Sequence, residues 1–203
     1  MNKHLIALAS ALLITGTAPA FAASTVDLTV KGIITPNACT PTLSSGGIVD
    51  HGKMSAKDLN PTGYTRLPTY TLQLEVNCDA PIAFGLKTVD NRRGSASTSG
   101  FGLGFINDSQ KLGMFTVTMR TPVADGDTVQ PIASYDNGTT WEPQNWMEDF
   151  GLYSVSTDGV LPRPTEDLTM GLEVATLIAR TDGMDLSDEV NIDGSATIEM
   201  MYL

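Results

Sequence analysis

The chain has 203 residues, with 12 Lys or Arg against 23 Asp or Glu and a formal net charge of −11. So acidic a chain is a poor partner for nucleic acid or an anionic membrane, and its charge reads as a solvated, repulsive surface. The length suits one domain with a sizeable core.

Residues 1–22 read as a secretory signal peptide. Met1 to His4 is a short basic start, Leu5 to Ile14 an apolar run too short to span a bilayer, and Ala20-Phe21-Ala22 a small-x-small cleavage site. Residues 23–203 are then the working domain, exported through the inner membrane. They contain no apolar stretch long enough for a transmembrane helix. Two cysteines, Cys39 and Cys78, remain. In an exported protein such a pair most simply forms one disulfide. With both bridged and His51 the one histidine beyond the leader, the residues for an ordinary zinc or copper site are missing, so no metal is expected.

The elements read as strands. Val26, Leu28 and Val30 alternate with Asp27, Thr29 and Lys31, which predicts an extended strand over 23–33. Pro36-Asn37 breaks it before Cys39. Residues 43–53 predict a turn and a short strand at Ile48-Val49. Residues 55–59 predict a single helical turn capped by Ser55. Residues 67–78 form the clearest strand, with Tyr70, Leu72, Leu74 and Val76 on one face. Residues 82–89 read as its hairpin or sandwich partner.

Residues 90–104, rich in Gly, Ser, Asn and Arg, predict a mobile surface loop. Further strands are expected over 112–120, 128–135, 141–155 and 168–180, with loops at 158–164 and 182–188 between them. The last strand lies within 190–203. There Ala196, Ile198, Met200 and Tyr202 alternate with Thr197, Glu199, Met201 and Leu203. Many short strands and Gly/Pro turns predict an all-β sandwich.

Three groups of residues carry the functional reading. The first joins Val30-Lys31-Gly32-Ile33-Ile34 leading to Ala38-Cys39, then Val76-Asn77-Cys78, then Gly194 with Ala196, Ile198, Met200 and the penultimate Tyr202. This combination resembles the subunits of chaperone–usher pili of Gram-negative bacteria, in a poorly characterised branch of pilin-like exported proteins. The resemblance implies an immunoglobulin-like sandwich that lacks its last strand. A periplasmic chaperone, and then the N-terminal extension of a neighbouring subunit, would fill the gap by donor-strand complementation.

Carried onto this chain, the donor strand is 25–33, inserting Val26, Leu28 and Val30. The acceptor edge lies in 194–203 and consists of Ala196, Ile198, Met200 and Tyr202, with the carboxylate of Leu203 held by chaperone cations. The implied partners are the chaperone, an outer-membrane usher and other pilus subunits. The implied route passes through the periplasm to the cell surface, where the fimbrium supports adhesion. The arm before Cys39 is short for this family, which leaves room for a terminal or non-polymerising subunit. The alternative is a self-complete secreted sandwich that binds carbohydrate, using Trp141 and Trp146 as stacking surfaces.

The second group, Ser134-Tyr-Asp136-Asn-Gly138-Thr-Thr140-Trp141, resembles the Asp-box hairpin of bacterial sialidases. One copy in so short a chain predicts a stabilised turn with Trp141 packed beneath it, not a sialidase. The third, Asp182, Asp185, Asp188 and Glu189, lacks EF-hand spacing and reads as exposed loop acids. With no Gly-x-Ser-x-Gly elbow and no nucleotide loop, the expectation is a non-enzyme without cofactor.

Overall fold

A computed structural model describes residues 28–32, 38–107 and 109–203. The chain divides into two units, Met1–Ile34 and Thr35–Leu203. In the first, residues 28–32 lie outside any strand, and Leu28 and Val30 are exposed. The rest of the expected strand at 23–33, Val26 included, lies outside the described residues.

The second unit is all-β. In chain order its strands are β1 Cys39–Leu43, β2 Thr65–Arg66, β3 Tyr70–Ile82, β4 Phe84–Asp90, β5 Phe101–Gly102, β6 Phe105–Ile106, β7 Gln110–Lys111 and β8 Gly113–Ala124. Then follow β9 Asp127–Thr128, β10 Gln130–Ser134, β11 Glu142–Pro143, β12 Trp146–Met147, β13 Leu152–Ser156, β14 Thr165–Ile178 and β15 Ala196–Tyr202. One sheet runs β1-β3-β14-β8-β12, with β2, β5 and β9 appended; the other runs β11-β10-β13-β4-β15. All ladders between these strands are antiparallel. Among the described residues no helix is long and apolar enough to cross a membrane.

Period-two patterning explains why the sheets face each other. Along β3, Leu72, Leu74, Val76 and Cys78 are buried while Thr71, Gln73, Glu75 and Asn77 are exposed. Their apolar row meets Leu168, Met170 and Leu172 of β14, and across the sandwich Phe84, Leu86, Tyr153 and Val155 of the second sheet. At Ile82 to Phe84 the chain passes from the first sheet to the second, so β4 is a sandwich partner of β3 and not its hairpin mate. A smaller cluster of Leu67, Leu103, Ile106, Leu112 and Ile178 closes one end.

Several local expectations are corrected. β1 was not anticipated; it forms because Cys39 to Leu43 pair in register with Cys78 to Leu74, and the Cys39–Cys78 disulfide fixes that register. Ile48-Val49 is no strand: it follows a 3-10 turn at Ser44–Gly47, and Ile48 is exposed. The 3-10 turn Ala56–Asp58 starts after Ser55, whose side chain makes no capping bond. Residues 90–104 are not a plain surface loop, because Phe101 and Leu103 are 1% and 2% exposed. Asp90 ties the segment down, accepting from the backbone N–H of Arg92 at 2.8 Å and of Gly102 at 3.1 Å.

Replacing both Cys39 and Cys78 by Ser is expected to lower the unfolding free energy by about 4 kcal/mol, the loop-closure estimate for a bridge of this span. The readout is the urea midpoint of oxidised wild type against the double variant. Equal midpoints would mean that the bridge adds nothing to stability.

Candidate functional site

The site is an open side of the sandwich. Among the described residues β1 pairs with β3 alone and β15 with β4 alone, so each presents one unpaired edge. Both edges lie on the same side of the molecule, because the backbone N–H of Cys39 donates to the Tyr202 hydroxyl at 3.0 Å. Between them runs a groove of about 640 Å³. Leu43 of β1 and Ile198 of β15 line it, with Leu72, Leu74, Leu172 and Val174 contributed by the first sheet. Towards one end, Phe101 and Phe115 stack with ring centroids 5.1 Å apart.

The groove is apolar where the core shows through and lightly polar at its rim. Thr42, Thr88, Thr176 and Ser195 offer hydroxyls, and His51 is the single ionisable side chain in the lining. Thr88 is satisfied already, since its hydroxyl donates to the carbonyls of Glu148 and Gly151. A row of free main-chain groups beside an apolar trough is a template for another strand.

The expected acceptor residues come together. Ala196, Ile198, Met200 and Tyr202 stand opposite Asp90, Thr88, Leu86 and Phe84 of β4, the inward-facing residues of that strand. Ala196 and Ile198 line the groove. Ile198 and Met200 pack on the core, and Tyr202 continues the same face to the base of β1. Leu203 is exposed, with its N–H donating to the Ala83 carbonyl at 3.1 Å. The disulfide sits at this same end, where Cys39 faces Cys78.

Sequence reasoning missed the other wall, Pro41 to Leu43, and it missed His51 as a groove residue. Pro41 was the available signal: proline cannot donate to a ladder and belongs on an edge strand.

The Ser134–Trp141 turn is built as expected. Asp136 Oδ1 accepts from the backbone N–H groups of Thr139 and Thr140 at 3.1 and 2.8 Å, and Oδ2 accepts from the Thr140 hydroxyl at 2.7 Å. Gly138 takes φ 88°, which a side chain would strain. The Thr140 bonds lead in holding the Asp136 carboxyl down to about 2, with Ser134 and Thr139 adding to them. A second Ser-x-Asp turn follows β13: Asp158 Oδ1 accepts from Ser156 Oγ and from the N–H groups of Val160 and Leu161.

Trp141 belongs to the first of these turns, its indole N–H donating to the Gly138 carbonyl at 3.1 Å. Trp146 is on β12, at the opposite edge of the first sheet from β1, and is 38% exposed. Neither belongs to the buried core. Of the acids of 182–189, Asp182 pairs with Arg180, Asp185 with the Ser187 hydroxyl and Glu189 with Lys53.

Residues 28–100 match the family described as "Protein of unknown function (DUF1120)". The chain is similar to two Escherichia coli proteins. It is 26% identical to "Uncharacterized protein YhcF" over 95% of this chain and 98% of that one. It is also 26% identical to "Protein GltF" over 87% of this chain and 88% of that one.

The depressed Asp136 carboxyl sets a pH signature. Its contribution is complete above the ordinary carboxylate value near 4 and is lost as pH falls through about 2. Asp136→Asn should melt below wild type at neutral pH, and the gap should narrow between about pH 4 and pH 2. A gap that stays constant over that range would mean that the charge plays no part in the turn.

Proposed function

We propose that this chain is an exported, pilin-like structural subunit whose open groove is filled by a β-strand from another protein. The observation that carries the reading is the pair of unpaired edges, β1 and β15, flanking one apolar groove on one side of the sandwich. An incoming strand would pair its backbone with these edges and send alternate side chains onto Leu72, Leu74, Leu172 and Val174. The segment 25–33 has the required pattern, with Val26, Leu28 and Val30 at every second position. Burying three such side chains is worth roughly 5–9 kcal/mol gross, against a comparable cost of association. Main-chain bonds along the seven residues of β15 must therefore supply part of the affinity.

In this reading a periplasmic chaperone occupies the groove first and a neighbouring subunit's arm replaces it, with an usher at the outer membrane. The product is a surface fimbrium that supports adhesion. The disulfide fits an oxidising compartment on that route. In this reading the role is non-catalytic and needs no cofactor. Carbohydrate binding through Trp141 and Trp146 has less behind it, because one is tied into a turn and the other sits on a strand of the first sheet.

The test adds a synthetic peptide of residues 25–33 to the purified, oxidised chain. Near-saturating peptide should raise the melting temperature by about 5–10 °C, and a peptide carrying Leu28→Asp and Val30→Asp should not. A chain that is monomeric and protease-resistant alone, and indifferent to either peptide, would refute the strand-acceptor role.

A further inference from the structure

His51 lies at the groove in an unusual state. Its Nε2 is 2.9 Å from the Thr176 hydroxyl, and its Nδ1 is buried without a hydrogen-bond partner among the described residues. The ring meets Tyr70 edge-on, with centroids 5.3 Å apart. The charged and titratable groups around it are few. Asp50 precedes it in the chain, with its Oδ1 accepting from the Gly52 N–H at 2.8 Å. The Tyr70 hydroxyl donates to the Asp50 carbonyl at 3.2 Å. From β14 comes the neutral Thr176, and from β8 the apolar Phe115 and Val117.

An imidazolium carries N–H on both nitrogens. Whichever nitrogen holds the proton in the neutral ring, the charged ring places an N–H at Nδ1 where no acceptor waits. Burial already holds the His51 imidazole below the ordinary histidine value, and the Asp50 charge only partly offsets this. A strand laid in the groove takes more water from the ring, and removing water disfavours the charged form further.

Resting on the strand-acceptor reading above, we propose that His51 is a proton-operated latch on the groove, which holds a strand when the ring is neutral and releases it when the ring is charged. The coupling is thermodynamic and runs both ways: an occupant that expels the proton is itself expelled by it. One proton limits the effect to about tenfold per pH unit. The sign follows from the lowered value. Affinity is level above the midpoint of the ring in the empty groove, which lies below the ordinary histidine value, and falls as pH drops through that midpoint. In the cell envelope this would make an acidic exterior the condition under which a seated strand can be exchanged.

The experiment measures binding of a fluorescent 25–33 peptide to the oxidised full chain from pH 8 to pH 5, where few carboxylates titrate. Wild type should show one Kd at pH 8 and pH 7 and a several-fold weaker one at pH 5, within the limit of about tenfold per pH unit. His51→Gln, whatever its affinity at pH 8, should keep that same affinity down to pH 5. Should that variant not fold, NMR titration of the His51 ring in wild type replaces it, and adding peptide should move the midpoint to lower pH. A level wild-type profile, an acid loss that persists in His51→Gln, or a ring midpoint unmoved by peptide would each overturn the latch while leaving the groove intact. No binding at any pH would overturn the strand-acceptor reading and the latch with it.

Discussion

The structure turns on main-chain hydrogen bonding that is left half complete. Among the described residues β3 and β14 are paired on both sides, whereas β1 and β15 are paired on one. A backbone edge must meet water or another strand. Here it stands beside apolar side chains that water serves badly. The two edges are also kept at a set spacing. The disulfide holds β1 to β3, and the Cys39 N–H bond to Tyr202 ties the base of one edge to the base of the other. Without those ties nothing would hold Leu43 and Ile198 apart; with them, the trough persists.

Much of this was legible in the residues. Leu72, Leu74 and Val76 are buried because a period of two in a half-buried strand leaves no other arrangement. The inward set of β15 was equally readable, and its register against Phe84, Leu86 and Thr88 agrees. Tyr70 departs from its row since it opens β3 where the core ends, leaving it 38% exposed. β1 was not readable at all. Thr40, Pro41 and Thr42 have no alternation, and only pairing with β3 makes them a strand. Phe101 and Leu103 were hidden by the Gly and Ser around them. That β1 and β15 share one side is a tertiary fact, and no local pattern encodes it.

The two Ser-x-Asp turns show a similar limit. Asp136 was recognisable from its full motif, yet Asp158 after β13 caps backbone N–H groups in a similar way with only a Ser-x-Asp to announce it. Both turns satisfy backbone N–H groups at strand ends of the second sheet, one after β10 and one after β13. His51 was visible as a lone imidazole, but its meaning depends on the apolar walls that the fold brings around it.

The connectivity of the first sheet also sets a timescale. Tyr70 pairs with Val174, and Leu72 with Leu172, so the central ladder joins segments separated by most of the second sheet. Such distant pairing is slow, in the range of milliseconds to seconds for β-rich domains. Throughout that interval the apolar rows of β3 and β14 stand uncovered, and uncovered rows aggregate. A molecule wired in this way spends its first moments as a hazard to its neighbours, and an escort during synthesis and transit would serve it before any question of assembly arises.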